Sequence, residues 1–228
     1  FESKSSYSIT VTITDIEENT LSKNLTLTIT DANDAPTSVS ITGGSAAENS
    51  SGVSFGTLST TDPDAVDTFS YAVTGGADAA SFEVGSSNTL KFKSTVSGNF
   101  ETKSTYSVVV TSTDSGSESV SSTLSISLTD VNESPTDIAL SGGSAAENSA
   151  GASFGTLSTT DPDASDSFSY SVTGGTDAAS FEIGTSDTLK FKSTVSGNYE
   201  SKSSYSVIVT STDAGSNTYA ETLTVSIT

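Results

Sequence analysis

The sequence predicts an all-β fold: tandem seven-stranded Greek-key β-sandwiches joined end to end. Three observations lead there. The chain returns to itself every 99 residues without a slip, so that Glu2 recurs as Glu101 and Glu200, and Asp15 as Asp114 and Asp213. Apolar and hydroxyl residues alternate with a period of two, as in Tyr106-Ser-Val-Val-Val-Thr111 and Leu124-Ser-Ile-Ser-Leu-Thr129. That is the pattern of strands with one buried and one solvated face. Glycine pairs and Gly-Asn cut these runs short, and about seven short antiparallel strands in a unit of domain size make a two-sheet sandwich.

Taken in order, the unit that opens at Pro36 carries strands over 37–42, 53–60, 68–74, 81–84, 89–93, 105–113 and 122–129. Gly43-Gly44, Gly75-Gly76 and Gly98-Asn99 supply turns between them. The expected core face is Val39, Ile41, Phe55, Leu58, Phe69, Tyr71, Val73, Phe82, Leu90, Phe92, Tyr106, Val108, Leu124 and Ile126. Lys91 and Lys93 read as edge charges that blunt strand pairing. Residues 1–34 hold only two strands, 7–14 and 25–30, matching the last two of a unit. A lone hairpin is marginal in water, so this segment reads as the C-terminal part of a repeat, either cut from a longer array or completed by a neighbouring molecule. Residues 35–133 read as a complete repeat, and 134–228 as a complete or nearly complete one.

Composition narrows the function. The net charge is −20, from 28 acidic against 8 basic residues, which argues against nucleic acid and anionic membrane surfaces as partners. The chain has no Cys and no His, which excludes disulfides, thiolate zinc sites, imidazole acid–base chemistry and Ser-His-Asp triads. Cys and Trp being absent, an antibody-type immunoglobulin core is excluded too. No apolar run is long enough to span a bilayer.

The acidic residues recur with the repeat. Asp31-Ala-Asn33-Asp34-Ala-Pro36 returns as Asp130-Val-Asn132-Glu133-Ser-Pro135, and Asp62-Pro-Asp64 as Asp161-Pro-Asp163. Calcium takes six to eight oxygens from carboxylates, amides, backbone and water, and these motifs carry that chemistry. One Asp-Pro-Asp alone is an ordinary surface turn. An interleaved set that recurs in fixed register is not explained by independent turns.

The units resemble cadherin repeats in their bacterial, cell-surface adhesin form. The run from Asn99-Phe-Glu101 through Tyr106 to Asp114-Ser-Gly116 is similar to that family's Asp-x-Glu motif and sixth strand. Asp31–Pro36 is similar to its interdomain linker, Ala47-Glu48-Asn49 to its early glutamate motif, and Asp62-Pro-Asp64 to its paired-aspartate motif. The resemblance implies a Ca2+ cluster at each junction between repeats. Near residue 34 the implied ligands are Glu2, Asp31, Asn33, Asp34, Asp62, Asp64 and Asp114. Near residue 133 they are Glu48, Glu101, Asp130, Asn132, Glu133, Asp161, Asp163 and Asp213; Asp67 and Asp166, three residues after each paired-aspartate motif, add a further oxygen at their own junctions. The family's Asp before the sixth strand is Asn here, at Asn99 and Asn198, and the last linker acid is Asp34 in one copy and Glu133 in the other. Both departures imply weakened sites and junctions of unequal affinity, and the first junction lacks the counterpart of Glu48.

The function expected is that of calcium-rigidified structural spacer repeats in a long extracellular adhesin or surface filament, and not an enzyme. The long identical stretches Thr57–Ala65 and Thr156–Ala164 suit a spacer better than a set of distinct binding loops. The expected partners are neighbouring repeats of the same chain, with identical molecules or surface glycans as the alternative. That alternative makes the chain an adhesive module for cell–cell or carbohydrate recognition.

Overall fold

The computed structural model describes residues 1–64 and 66–228. They form two compact units, Phe1–Asp130 and Val131–Thr228. Both are built from strands and short 3-10 turns, with no α-helix among the described residues.

The first unit begins with a hairpin, β1 (Ser6–Thr14) and β2 (Thr20–Thr28), in register from Ser6 opposite Thr28 to Thr14 opposite Thr20. β2 starts earlier than the alternation of Leu25, Leu27 and Ile29 suggests. Lys23, opposite Val11, interrupts the apolar pattern but not the backbone ladder. Tyr7, Ile9, Val11 and Ile13 stay exposed.

The sandwich that follows comprises β3 (Ser38–Gly43), β4 (Ser45–Ala47), β5 (Ser54–Thr61), β6 (Ser70–Gly75), β7 (Phe82–Val84), β8 (Thr89–Phe92), β9 (Thr105–Thr113) and β10 (Ser119–Thr129). One sheet has the order β3-β5-β8-β7 and the other β4-β10-β9-β6. The sandwich therefore has eight strands where seven were expected. The first strand breaks at Gly43 and Gly44, whose φ angles of 108° and 87° lie where side chains are strained. Before the break β3 pairs antiparallel with β5; after it, β4 joins the opposite sheet, parallel to β10. Lys91 is also not on an edge. It sits on β8, between β5 and β7, and pairs with Glu83 of β7 at 2.8 Å.

Inward side chains from both sheets form the core. Phe55, Phe82 and Phe92 are nearly fully buried, with ring centroids 4.8–5.5 Å apart. Tyr106 packs edge-on against Phe92, a favoured aromatic geometry. Val110 and Leu128 are buried although they were not expected in the core, whereas Phe69, just ahead of β6, is only half-buried. Leu128 belongs to the same inward row as Leu124 and Ile126. Polarity changes toward one end of this core. The inward row of β9 runs Val108, Val110, Ser112 and on to Asp114, all buried, and that of β5 runs Leu58, Thr60 and on to Asp62. Residues two apart on a strand share a face, so apolar, hydroxyl and carboxylate side chains follow one another along the same line.

The second unit repeats this plan with β11 (Asp137–Gly142), β12 (Ser144–Ala145), β13 (Ser153–Thr160), β14 (Ser169–Gly174), β15 (Phe181–Ile183), β16 (Thr188–Phe191), β17 (Ser204–Thr212) and β18 (Thr218–Ile227). Its sheets have the orders β11-β13-β16-β15 and β12-β18-β17-β14, closed over Phe154, Phe181 and Phe191.

Candidate metal centre

The carboxylates gather where strands end. Asp62 follows β5, and Pro63 fixes the turn so that the Asp64 N–H donates to Asp62 Oδ1 at 2.8 Å. Asp64 Oδ2 in turn accepts the N–H of Asp34 in the linker at 2.8 Å. Asp114 follows β9; its Oδ1 accepts the Glu118 N–H and its Oδ2 the Asn33 side-chain amide. Asn33 reaches that place only because residue 116 is glycine. A Cβ there would stand 2.3 Å from the Asn33 side chain.

Three groups of acids result in the first unit. Glu2, Asp31 and Asp64 form one; Asp62, Asp67 and Asp114 a second; Glu48, Glu101 and Asp130 a third, each with ligand oxygens within 4.8 Å of one another. Glu48 is buried and accepts the Phe100 N–H at 2.6 Å. In the second unit Asp161, Asp166 and Asp213 form the counterpart of the second group. Asp161 Oδ1 accepts the Asp163 N–H, Asp163 Oδ2 accepts the Glu133 N–H at 2.8 Å, and Asn132 donates to Asp213 Oδ2 at 2.9 Å. Gly215 makes room for Asn132 as Gly116 does for Asn33. Asp34 and Glu133 each donate a backbone N–H to a paired-motif aspartate, and Asn33 and Asn132 donate side-chain amides to Asp114 and Asp213.

Asp67 and Asp166 are more than the further oxygens expected of them. Each completes a three-carboxylate group, and their recurrence at the 99-residue spacing is the signal that marks them. Asn99 and Asn198 are used differently. Their side-chain oxygens accept the N–H groups of Thr102 and Ser201, which makes them turn caps.

The electrostatics of these groups are unbalanced. In Asp62, Asp64, Asp67, Asp161 and Asp166 one oxygen is held by a backbone N–H, while the other is buried without a hydrogen-bond donor: Asp62 Oδ2, Asp64 Oδ1, Asp67 Oδ2, Asp161 Oδ2 and Asp166 Oδ2. Buried polar atoms are normally satisfied, and buried charge is costly without a partner. Like charges this close repel by between about 1 and 4 kcal/mol per pair, depending on local screening. Lost hydration raises the Asp161 pKa above its ordinary value, and the Asp163, Asp166 and Asp213 carboxylates push it further. Lost hydration likewise raises Asp31, followed by the charges of Asp64 and Glu2. The lysine ion pairs lie elsewhere: Lys91 with Glu83, Lys103 with Asp78, Lys190 with Glu182 and Lys202 with Asp177. Bare, buried, anionic oxygens on rigid turns fit a hard divalent cation that prefers oxygen ligands.

Comparison with known proteins places the fold. No curated protein matches this sequence. Among solved structures, the protocadherin gamma B4 extracellular domain superposes with a TM-score of 0.67 at 22% identity, over 99% of this chain and 38% of that one. The human desmocollin-1 ectodomain gives 0.63 at 19% identity, over 100% of this chain and 48% of that one. PcdhgB3 EC1-4 gives 0.62 at 20% identity, over 100% and 58%. The chain therefore spans well under two thirds of the length of these structures. Residues 142–228 match the family model of the cadherin domain, and the chain as a whole has the fold of these protocadherin and desmocollin ectodomains.

Proposed function

We propose that this chain is a run of calcium-binding repeats from a long extracellular adhesin or surface filament, and that the bound ions stiffen the joints between repeats. In this reading residues 1–34 end one repeat, 35–133 make a second and 134–228 a third. The observation that carries it is the set of buried aspartate oxygens without donors at Asp62, Asp64, Asp67, Asp161 and Asp166. Ca2+ would be held in the first unit by Glu2, Asp31 and Asp64, by Asp62, Asp67 and Asp114, and by Glu48, Glu101 and Asp130. In the second it would be held by Asp161, Asp166 and Asp213, with Asp163 beside them. When bound, the ion supplies the positive charge that these carboxylates lack. The proposal includes Asn33, Asp34, Asn132 and Glu133 as the linker residues that tie each strand end to the next repeat. Extracellular calcium modules bind at roughly 10⁻⁴–10⁻³ M, an affinity matched to the fluid outside cells.

A ligand that binds only the folded state stabilises it. The melting temperature should therefore rise by several degrees from EGTA to millimolar calcium. Asp161→Ala should lose most of that rise in the second unit while melting in EGTA no lower than wild type, because it removes a repelling charge. A wild-type melting curve indifferent to chelation overturns the proposal.

A further inference from the structure

Each sandwich carries one more polar feature, directly beneath the carboxylates. Thr60 of β5 donates its hydroxyl to the Tyr71 hydroxyl oxygen of β6 at 2.9 Å and meets Ser112 Oγ of β9 at 2.6 Å. Since β5 lies in one sheet and β6 and β9 in the other, this contact crosses the core. The second unit reproduces it, with Thr159 to Tyr170 at 2.8 Å and to Ser211 at 2.8 Å. Ser112 and Ser211 are 0% exposed. Apolar residues of similar volume would fill this space equally well, because a net hydrogen bond adds only about 1 kcal/mol to stability.

The placement suggests a different use. Each hydroxyl bearer stands close in sequence to one acid of the group above it: Thr60 to Asp62, Ser112 to Asp114 and Tyr71 to Asp67. In the second unit the pairs are Thr159 with Asp161, Ser211 with Asp213 and Tyr170 with Asp166. Asp62 and Asp114 come from opposite sheets, so their separation depends on how far apart the sheets stand at that end. We infer that the Thr60–Tyr71–Ser112 hydroxyl triad and its copy, Thr159–Tyr170–Ser211, are positioning residues. They fix the sheet spacing so that three mutually repelling carboxylates are held together, preorganised for a cation. A network with every member satisfied rigidifies what it joins, and preorganisation is gained as affinity.

This inference rests on the calcium reading, and its test separates the two. Calcium titration by calorimetry would compare wild type with Thr60→Val/Thr159→Val and Thr60→Ser/Thr159→Ser. The Val form keeps the volume and loses the hydroxyl; the Ser form keeps the hydroxyl. The Val variant should bind calcium about tenfold or more weakly at the affected sites, and the Ser variant like wild type. A purely structural role would lower melting in EGTA for the Val variant and leave its calcium affinity unchanged, which overturns the inference. Tyr71→Phe/Tyr170→Phe removes one hydroxyl with little change of volume and decides the matter by the same comparison if the Val variant does not fold. Wild type that takes up no calcium overturns the metal reading together with this inference. Wild-type uptake matched by the variants that lack the hydroxyl overturns this inference alone.

Discussion

Asp78 and Asp177 show what an acid in this chain does when it has a cation. Lys202 bonds Asp177 Oδ1, and the Ser206 N–H donates to its Oδ2 at 2.8 Å. The Lys202 contact, and then that N–H, hold the Asp177 pKa below its ordinary 3.8. A carboxyl with a depressed folded pKa binds fewer protons folded than unfolded, so its contribution is complete above the unfolded value and fades as pH falls through the folded one. Asp177→Asn should therefore lower the melting temperature at neutral pH, and the deficit should shrink well below pH 3.8. With the Lys202 side chain 44% exposed, the loss should stay near the ~1 kcal/mol of exposed pairs. A deficit that persists unchanged in acid would rule out the ion pair as its source. Backbone strain gives a second expectation at this scale. Ser87 and Asn88 both have left-handed φ, 56° and 58°, the geometry that tight hairpin turns fill with Asn-Gly. Ser87→Gly should raise stability by about 0.5–1 kcal/mol in urea unfolding. The acids that gather here, Asp62, Asp64, Asp114, Asp161 and Asp213, could be picked out at this scale, because they recur one or two residues from Pro or Gly. What was not legible was the use of each atom. Nothing in Asn99-Phe-Glu101 says that the Asn caps a turn while Glu101 joins Glu48 and Asp130.

Within the elements, the aromatic triad and Gly155, at the register shift in the β13–β16 pairing, should be sensitive to substitution. Phe92→Ala should cost about 3–5 kcal/mol, since it empties a fully buried ring site between Phe55 and Phe82. Gly155→Ala should cost at least as much, because its Cβ would lie 1.7 Å from the Ser141 carbonyl oxygen at a φ of 148°. Chemical denaturation of the two variants checks both. Strands with regular alternation, such as β9 and β10, were readable from the sequence to within a few residues. β4 was not. Its Ser45-Ala46-Ala47 has no periodicity of its own and becomes a strand only through pairing with Ser127, Leu128 and Thr129 far along the chain. The sheet assignment of Lys91 was hidden for the same reason: strand order is a property of pairing, not of local pattern.

For the molecule as a whole, the proposed calcium sites would offset part of the imbalance of 28 acidic against 8 basic residues. If calcium stiffens the joints, solution scattering of wild type should broaden on chelation. Asp161→Ala in calcium should then give a profile intermediate between the calcium-loaded and chelated forms. Identical profiles in all three would mean that the ions do not govern the joints.

The break at Gly43 and Gly44 has one further consequence, for tension. It leaves β4 running parallel to the last strand of its unit, β10, with the Ser127 N–H donating to the Gly44 carbonyl and the Glu48 N–H to the Thr129 carbonyl. β12 stands in the same relation to β18. A pull on the two ends of a unit drags such a parallel pair in opposite directions along its own length, so the bonds between the strands must shear together instead of peeling one at a time. The three-residue β4, which has no signature in the sequence, therefore loads its ladder in shear when the ends of its sandwich are pulled apart.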